Sequence, residues 1–420
     1  MTELQYDVVV CGAGPAGAAS SLFLSKEGIS HLLLDQSSFP RPKVCGDGIT
    51  PVCLTILEQV VPDIHEHFKN HVSVNKISYL RLYAPNGKFA DLRTADYVPA
   101  KKDNLFTVSR HDFDEYLVQK ASGQPFADFR DNCRIRSFDK SGNEITIHAE
   151  QKGDPVSIKT KLVIAADGDR SIFRKSLVGT AIDREKMVAA IRGYYKNVEP
   201  AAGTDRYEVF AFGEVLPGYF WIFPMADGRF NVGLGITSDV IKAKRLNLRK
   251  LQDQLLQEHP LLKKRFARAE LIGMVEGSGL PIMLEKKPVC SGERILLTGD
   301  AAALADPVTG EGIGPGLISG KYAAQAAAQA LSRKEFSASF LRSQYDEYIH
   351  QKITDAYQLR VSMFDWFVKH PWKINLLIRA APKMGMIRNF FANSVIGKFS
   401  LSDLRKPQHW KKVFSPFSKS

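Results

Sequence analysis

A short β-branched run, Tyr6–Cys11 (YDVVVC), leads directly into Gly12-Ala-Gly-Pro-Ala-Gly17, and this junction limits the fold more than any other stretch of the chain. Consecutive valines suit a strand buried on both faces rather than one with a wet side. The spacing predicts a helix from Pro15 to Glu27, rich in Ala, Ser and Leu and ended by Gly28. A second strand, Ser30–Leu34, then closes on Asp35. The acid stands eighteen residues after the last glycine, which completes the order a dinucleotide-binding βαβ unit requires. Gly12 makes the tight turn, Gly14 admits a pyrophosphate, Gly17 packs helix on strand, and Asp35 accepts hydrogen bonds from a ribose. Pro15 and Ala16 complete the turn. A glycine-rich turn that holds no ligand is the alternative, and the flanking elements favour the nucleotide.

A second stretch of this kind lies near residue 300. A buried strand, Arg294–Leu297, runs through Thr298 into Gly299-Asp300, then a Pro/Gly-rich loop, Pro307–Gly312, and a helix that begins near Ile313 and continues through the Ala-rich Lys321–Leu331. Free N–H groups at a helix start suit a polar, partly anionic ligand, and glycines let backbone approach a flat one. A third strand, Lys161–Ala166, ends in Asp167-Gly168 and is expected beside the first.

Phe39–Gly48 (FPRPKVCGDG) holds two prolines, two glycines, two cations and an acid, which together exclude a regular element. Arg41 and Lys43 can neutralise phosphate or a reduced, anionic cofactor. Cys45 is flanked by flexible backbone and can face a ligand; an ordinary loop around a buried thiol is the alternative. Ser109 reads as the N-cap of a helix whose first residue, Arg110, can reach a phosphate or a ribityl hydroxyl.

From Val188 to Leu234 the pattern changes to long alternating strands, as expected of an antiparallel sheet with one covered face. Period two puts Tyr219, Trp221 and Phe223 on one face. Such a stripe is core or a binding wall. The glycines of Asn231-Val-Gly-Leu-Gly235 leave room above it and favour the wall.

The net charge of +12 is concentrated at one end: from Lys369 onward there are eleven Lys/Arg and one acid, Asp403, interleaved with Trp372, Phe390, Phe391 and Phe399. This mixture fits contact with an anionic membrane or a solvated helical cap. Nucleic acid would match the charge, but no recognisable binding module accompanies it, so none is expected. Five scattered cysteines without zinc spacing imply a reducing compartment and no metal site. No signal-like leader and no long apolar run are seen. A cytoplasmic protein, with peripheral contact at the inner face of the membrane left open, is the expectation.

Four motifs in order, GAGPAG (12–17), ADGDRSIFR (166–174), GYFWIFP…NVGLG (218–235) and GDAAALADPVTGEGI (299–313), resemble FAD-dependent oxidoreductases of the p-hydroxybenzoate-hydroxylase-like fold. Within that group, RPKVCGDG (41–48) and the YxWxFP-type segment resemble the geranylgeranyl reductase family. The resemblance covers about Tyr6 to Leu331. It implies an α/β protein: a Rossmann-like FAD-binding domain (1–75, 105–180 and 275–333), an antiparallel-sheet substrate domain (76–104 and 181–274) and a C-terminal helical, basic region (334–420). It further implies that Gly12, Gly14 and Gly17 cradle the FAD pyrophosphate and that Asp35 binds the ribose. Arg110 lies near the phosphates or ribityl chain, Asp167 and Gly168 form a second fingerprint, and Asp300 binds the ribityl side or pyrophosphate. Pro307, Gly310, Gly312 and Ile313 edge the isoalloxazine, Cys45, Gly46, Asp47 and Gly48 lie beside it, and Tyr219 and Trp221 line a prenyl pocket.

The implied activity is saturation of carbon–carbon double bonds in a prenyl or polyprenyl lipid, with NAD(P)H or ferredoxin as candidate electron donors. An isolated alkene has no carbonyl to accept electron density. Hydride delivery must therefore be coupled to protonation, with cationic character that the Tyr219 and Trp221 rings can tolerate. Cys45, a water or the flavin itself could supply the proton. Two rivals remain at this point: an oxygen-activating monooxygenase or halogenase on the same fold, and a non-catalytic flavoprotein that binds quinone or lipid. Tyr219 and Phe223 replace the first Trp and the Ile of a tryptophan halogenase's W-x-W-x-I-P, which counts against halogenation.

Overall fold

The computed structural model describes residues 2–62, 64–96, 105–201, 203–355, 357–358, 361 and 369–381. The expected membrane-facing residues Phe390, Phe391 and Phe399 lie outside them.

The first sheet has eight strands. Its parallel centre runs Ile295–Leu297, Asp154–Ala165, Thr2–Cys11, His31–Leu34, Ala127–Arg130. Val8–Val10, Leu32, Leu33, Leu162–Ala165 and Ile295–Leu297 are fully buried, which explains why these strands read as unbroken apolar runs. Each such side chain removed from water contributes about 1.5–3 kcal/mol. The expected strand Lys161–Ala166 is the second half of a longer one, Asp154–Ala165. Its first half also pairs with Glu144–Gln151, which pairs in turn with Cys133–Ser141.

The Pro15–Lys26 helix lies against the 21-residue helix Ile313–Arg333, and small residues set the distance. A Cβ on Gly320 would stand 2.3 Å from the Ala16 carbonyl oxygen, whereas one on Gly316 would touch Ala16 at an ordinary 3.6 Å. The two glycine-rich turns, nearly three hundred residues apart in sequence, are thereby held side by side.

The second sheet has seven strands, in the order Glu270–Leu280, Val188–Lys196, Phe230–Thr237, Tyr219–Pro224, Arg206–Phe210, Tyr79–Tyr83, Phe89–Arg93. It is antiparallel except where Arg206–Phe210 runs parallel to Tyr79–Tyr83. The helix Leu248–Glu258 covers its inner face with Leu255 and Leu256, and ends before Pro260. Glu270–Leu280 spans the expected boundary at 274/275 and pairs along its length with Val188–Lys196. It is an edge strand, largely exposed along both faces, so it carries no alternation to read. A three-stranded sheet, Gly48–Ile49, Leu105–Thr107 and Asn75–Ile77, joins the two. In the C-terminal region, Pro371–Ala380 is a helix whose Ile378 packs on Ala84 and Ala90 at the far edge of the second sheet. No described helix is long and apolar enough to cross a membrane.

Candidate functional site

The parallel strands ending at Cys11, Leu34, Ala165 and Leu297 deliver Gly12, Asp35, Asp167 and Gly299-Asp300 to one edge of the first sheet. In open α/β sheets, ligands bind at the carboxyl ends of strands. A cavity of about 700 Å³ lies there and extends to the second sheet, so one continuous wall includes Gly12, Asp35, Asp300, Cys45, Tyr219 and Trp221.

Gly12 has φ +103°, and a Cβ on it would meet the Ala166 carbonyl oxygen at 2.3 Å. A Cβ on Gly17 would meet the Gly12 carbonyl oxygen at 1.7 Å, so Gly17 sits behind the turn, where helix touches strand. Gly14, Pro15 and Ala16 face the cavity. The Ala13 and Ser37 amides donate to the Asp35 carboxylate at 2.8 and 2.9 Å, which orients it while leaving lone pairs for a further donor.

Two more carboxylates face the cavity with acceptor capacity to spare. Asp167 lies beside Gly168, its Oδ1 is buried without a hydrogen-bond partner, and burial raises its pKa to about 6 against the help of Ser171. Asp300 makes no side-chain hydrogen bond among the described residues. Burial raises its pKa too, with Lys43 and Arg110 opposing. Buried polar atoms are rarely left unpaired. Acceptors waiting for hydroxyl donors beside a turn that no side chain can enter fit the ribose, ribityl chain and pyrophosphate of FAD.

Arg110 lines the cavity but is already bidentate to buried Asp114, at 2.7 and 2.8 Å, and Arg41 approaches the same carboxylate at 3.5 Å. Asp114 therefore consumes much of the charge expected to meet phosphate. Lys43 makes no ion pair among the described residues. On the other side of the cavity, Pro307, Gly310, Gly312 and Ile313 form the wall. Buried Asp306 shapes this loop by accepting from the amides of Val308 and Thr309 at 2.8 and 3.3 Å.

The aromatic stripe lies as period two predicts. Ring centroids are 5.8 Å apart for Tyr219–Trp221 and 6.2 Å for Trp221–Phe223, and all three line the cavity. Gly46 lies flat against it: a Cβ there would stand 3.4 Å from Phe223 and 3.7 Å from the Trp221 indole nitrogen. Cys45 is thereby brought to the cavity between wall and cradle. Burial pushes its thiol pKa up, with the Arg110 guanidinium opposing, so the thiol keeps its proton at neutral pH.

Asp47 and Gly48, expected beside the ring, stand behind this surface. Asp47 has φ 63° and no exposure. Its carboxylate accepts from the Tyr194 hydroxyl at 2.6 Å, Asn231 Nδ2 at 2.8 Å and the Arg110 amide at 3.3 Å. It anchors the loop rather than facing the cavity. Gly48 instead lies under the Tyr207 hydroxyl.

Sequence reasoning passed over Asn231, which joins the two halves. Its Oδ1 accepts from Trp221 Nε1 at 2.9 Å, and its Nδ2 donates to the Cys45 carbonyl at 2.8 Å as well as to Asp47. Period two puts Asn231, Gly233 and Gly235 on one face, with Trp221 opposite Gly233, so the signal was present. Thr50 and Glu311 were also missed. Their 2.6 Å hydrogen bond ties the Cys45 loop to the Pro307–Ile313 loop.

Comparison with known proteins agrees with this geometry. Residues 5–211 match the model of an FAD binding domain, and residues 187–278 that of a geranylgeranyl reductase catalytic domain. The chain is 28% identical over 372 residues to a digeranylgeranylglycerophospholipid reductase of Picrophilus torridus, covering 87% of each chain. It is 31% identical over 352 residues to the enzyme of that name from Methanococcus vannielii, covering 82% of each. A geranylgeranyl diphosphate reductase of Rhodobacter capsulatus is 28% identical over 368 residues, covering 83% of this chain and 85% of that one. Among solved structures, a geranylgeranyl bacteriochlorophyll reductase-like protein from Thermoplasma acidophilum superposes with a TM-score of 0.79 at 22% identity over 99% of both chains. A flavin-dependent brominase superposes at 0.74 with 19% identity, covering 98% of this chain and 99% of its own. Fold alone therefore does not separate reduction from oxygen chemistry; the catalytic-domain match and the sequence relatives do.

Proposed function

Because the chain belongs to the geranylgeranyl reductase family of FAD-dependent oxidoreductases, we propose that it saturates carbon–carbon double bonds in the geranylgeranyl-type chain of a prenyl lipid. One observation carries this reading: a single cavity joins the glycine and carboxylate cradle to an apolar aromatic wall, with Cys45 between them.

FAD supplies hydride chemistry when bound and reduced. Gly12, Gly14, Pro15, Ala16 and Gly17 hold its pyrophosphate in this reading, with Asp35 on the adenosine ribose and Asp300 on the ribityl side. Asp167 and Gly168 support the same region, and Lys43 provides the cation that Arg110, committed to Asp114, does not. Gly310, Gly312 and Ile313 border the ring. Tyr219 and Trp221 line the prenyl path and exclude water, and their ring faces stabilise positive charge developing at the substituted alkene carbon. Trp221 is held for this by Asn231, and Tyr219 by its hydroxyl, which donates to the Thr309 carbonyl at 2.5 Å. Cys45, kept protonated by burial, is the proton donor to the other carbon.

A lipid substrate needs a route that avoids water. The helix Pro371–Ala380 supports peripheral contact with an anionic inner membrane face, because Trp372 is 58% exposed between Lys369 and Lys373. NAD(P)H or ferredoxin is the proposed donor. The test is anaerobic: dithionite-reduced enzyme is mixed with geranylgeranyl diphosphate, flavin reoxidation is followed, and product mass is measured. Reoxidation with addition of two hydrogens per double bond is expected. Oxygen-dependent turnover with oxygen in the product, or no reoxidation at all, would overturn the proposal.

A further inference from the structure

Beside the main cavity lies a second cleft of about 490 Å³, and Lys43, Arg110 and Arg192 line both. The prenyl path and the cleft are therefore neighbours across a wall of cations. Two of the cleft's guanidiniums are brought to one ring: Arg192 Cζ lies 4.3 Å and Arg229 Cζ 4.8 Å from the Tyr194 centroid. The ring is fixed from behind by the hydrogen bond of its hydroxyl to Asp47.

Like charges collected at one place cost energy that an anion offsets. Each of these guanidiniums has one carboxylate partner, and what remains open is donor capacity. Glu276 pairs with Arg192 through Nη1 at 2.7 Å, and Asp227 pairs with Arg229. Arg192 is 6% exposed, and its Nε is buried without a hydrogen-bond partner. A guanidinium with one edge satisfied and an unused donor in a cleft suits a phosphate oxygen. The N-terminus of the thirteen-residue helix Arg110–Ser122 faces the same cleft through Ser109 and His111. Asp112, also in the wall, is turned toward His111 at 2.9 Å.

We propose that this cleft, built on Arg192 and Arg229, binds the phosphate-bearing polar end of the substrate while the prenyl chain runs along the aromatic wall. The identity of the ligand rests on the reductase reading above; the affinity for phosphate does not. An apolar chain gains by entering the cavity, whereas its anionic end must stay hydrated or paired. The cleft offers that pairing beside the cavity, with which it shares Arg110 and Arg192. A phosphate of a nicotinamide donor would meet the same chemistry, and the assay separates the two.

FAD-saturated full-length enzyme is compared with Arg192→Gln and with Arg229→Gln, the latter more exposed and outside the main cavity. Equal FAD occupancy serves as the check on folding. Inorganic pyrophosphate binding is measured by calorimetry. Dithionite-driven kcat/KM is measured for geranylgeranyl diphosphate and for uncharged geranylgeraniol. Each variant should bind pyrophosphate roughly tenfold more weakly. Each should also lose roughly tenfold of the preference for diphosphate over alcohol. Pyrophosphate that fails to bind wild type, or binds all three proteins equally, overturns the proposal, as does a preference that both variants retain. If the variants instead raise KM for NAD(P)H while the diphosphate preference stands, the cleft serves the donor and the headgroup assignment fails. Arginine-dependent pyrophosphate binding by an enzyme that reduces neither substrate would sink the reductase reading and leave the phosphate site standing.

Discussion

Gly233 is the position where one methyl group tests the packing of the aromatic wall. A Cβ there would stand 2.4 Å from Trp221 Cζ2 and 2.3 Å from the Ile191 carbonyl oxygen of the neighbouring strand. The first clash could be relieved by turning the indole, at the expense of its hydrogen bond to Asn231. The second involves backbone on both sides and has no rotamer solution, so the strand pair itself must part. Overpacking of this kind costs about 1–3 kcal/mol, and the lost buried hydrogen bond adds about 1 kcal/mol. Against this, alanine in a strand gains about 0.5–1 kcal/mol over glycine in backbone entropy. Gly233→Ala should therefore destabilise the protein by about 1–3 kcal/mol, with turnover reduced and FAD retained, since the clash is remote from Gly12. Gly235→Ala is the matched control two residues along the same face. Its Cβ would meet Val188 Cγ1 at 3.3 Å, the end of a side chain that can turn, and Ala190 Cβ at 3.4 Å, close to ordinary van der Waals contact. Its stability should lie within about 0.5 kcal/mol of wild type. Urea denaturation of FAD-loaded protein, alongside turnover, distinguishes the two. Equal midpoints for both variants, with Gly233→Ala fully active, would refute the account of how Trp221 is seated.

Cys45→Ala should retain FAD and lose roughly 10²–10⁴-fold in turnover if the thiol supplies the proton; unchanged turnover would make it a packing residue. Asp300→Ala should weaken FAD retention by about 1–3 kcal/mol, read from flavin occupancy after gel filtration, and a variant that stays fully loaded counts against the role given to its carboxylate. Asp167 is raised from 3.8 to about 6 in the fold, so its protonated form is the favoured one. Its contribution to stability is complete below pH 3.8 and lost as pH rises to about 6, at most about 3 kcal/mol. In the apoprotein, denaturant midpoints of wild type should fall relative to Asp167→Asn across that window; parallel pH profiles would show that the carboxyl is not held in this way.

The parts of the fold legible in the sequence were those where a local backbone demand leaves a residue signature. Gly12 must adopt positive φ against Ala166, and no other residue type does so without strain, so the βα turn could be read from the chain alone. The buried parallel strands announced themselves because both faces are apolar. The Glu270–Leu280 strand did not, since an exposed edge rewards no pattern. The break at Lys159-Thr-Lys161 hid the continuity of Asp154–Ala165 for a different reason. There the strand's first half is half wet, and pairing on both sides rather than burial holds it. Asp47 illustrates the limit at the site. A charged residue in a Gly/Pro loop reads as a ligand contact, and only partners 147 and 184 positions away, Tyr194 and Asn231, make its burial affordable.

Long-range side-chain bonds of the same sort set the dimensions of the cavity. Tyr219 reaches from the wall to the Thr309 carbonyl, Thr50 from the Cys45 loop to Glu311, and Asn231 from the wall to both Cys45 and Asp47. Each bond joins two of the three segments that enclose the space between cradle and wall. Displacing any one segment breaks two or three of these bonds, leaving buried donors or acceptors unmet at about 1–3 kcal/mol each. The three segments are therefore tied into one hydrogen-bonded frame. Moving the frame from one double bond to the next would break these bonds, so a prenyl chain with several double bonds is expected to shift along the wall to present each in turn.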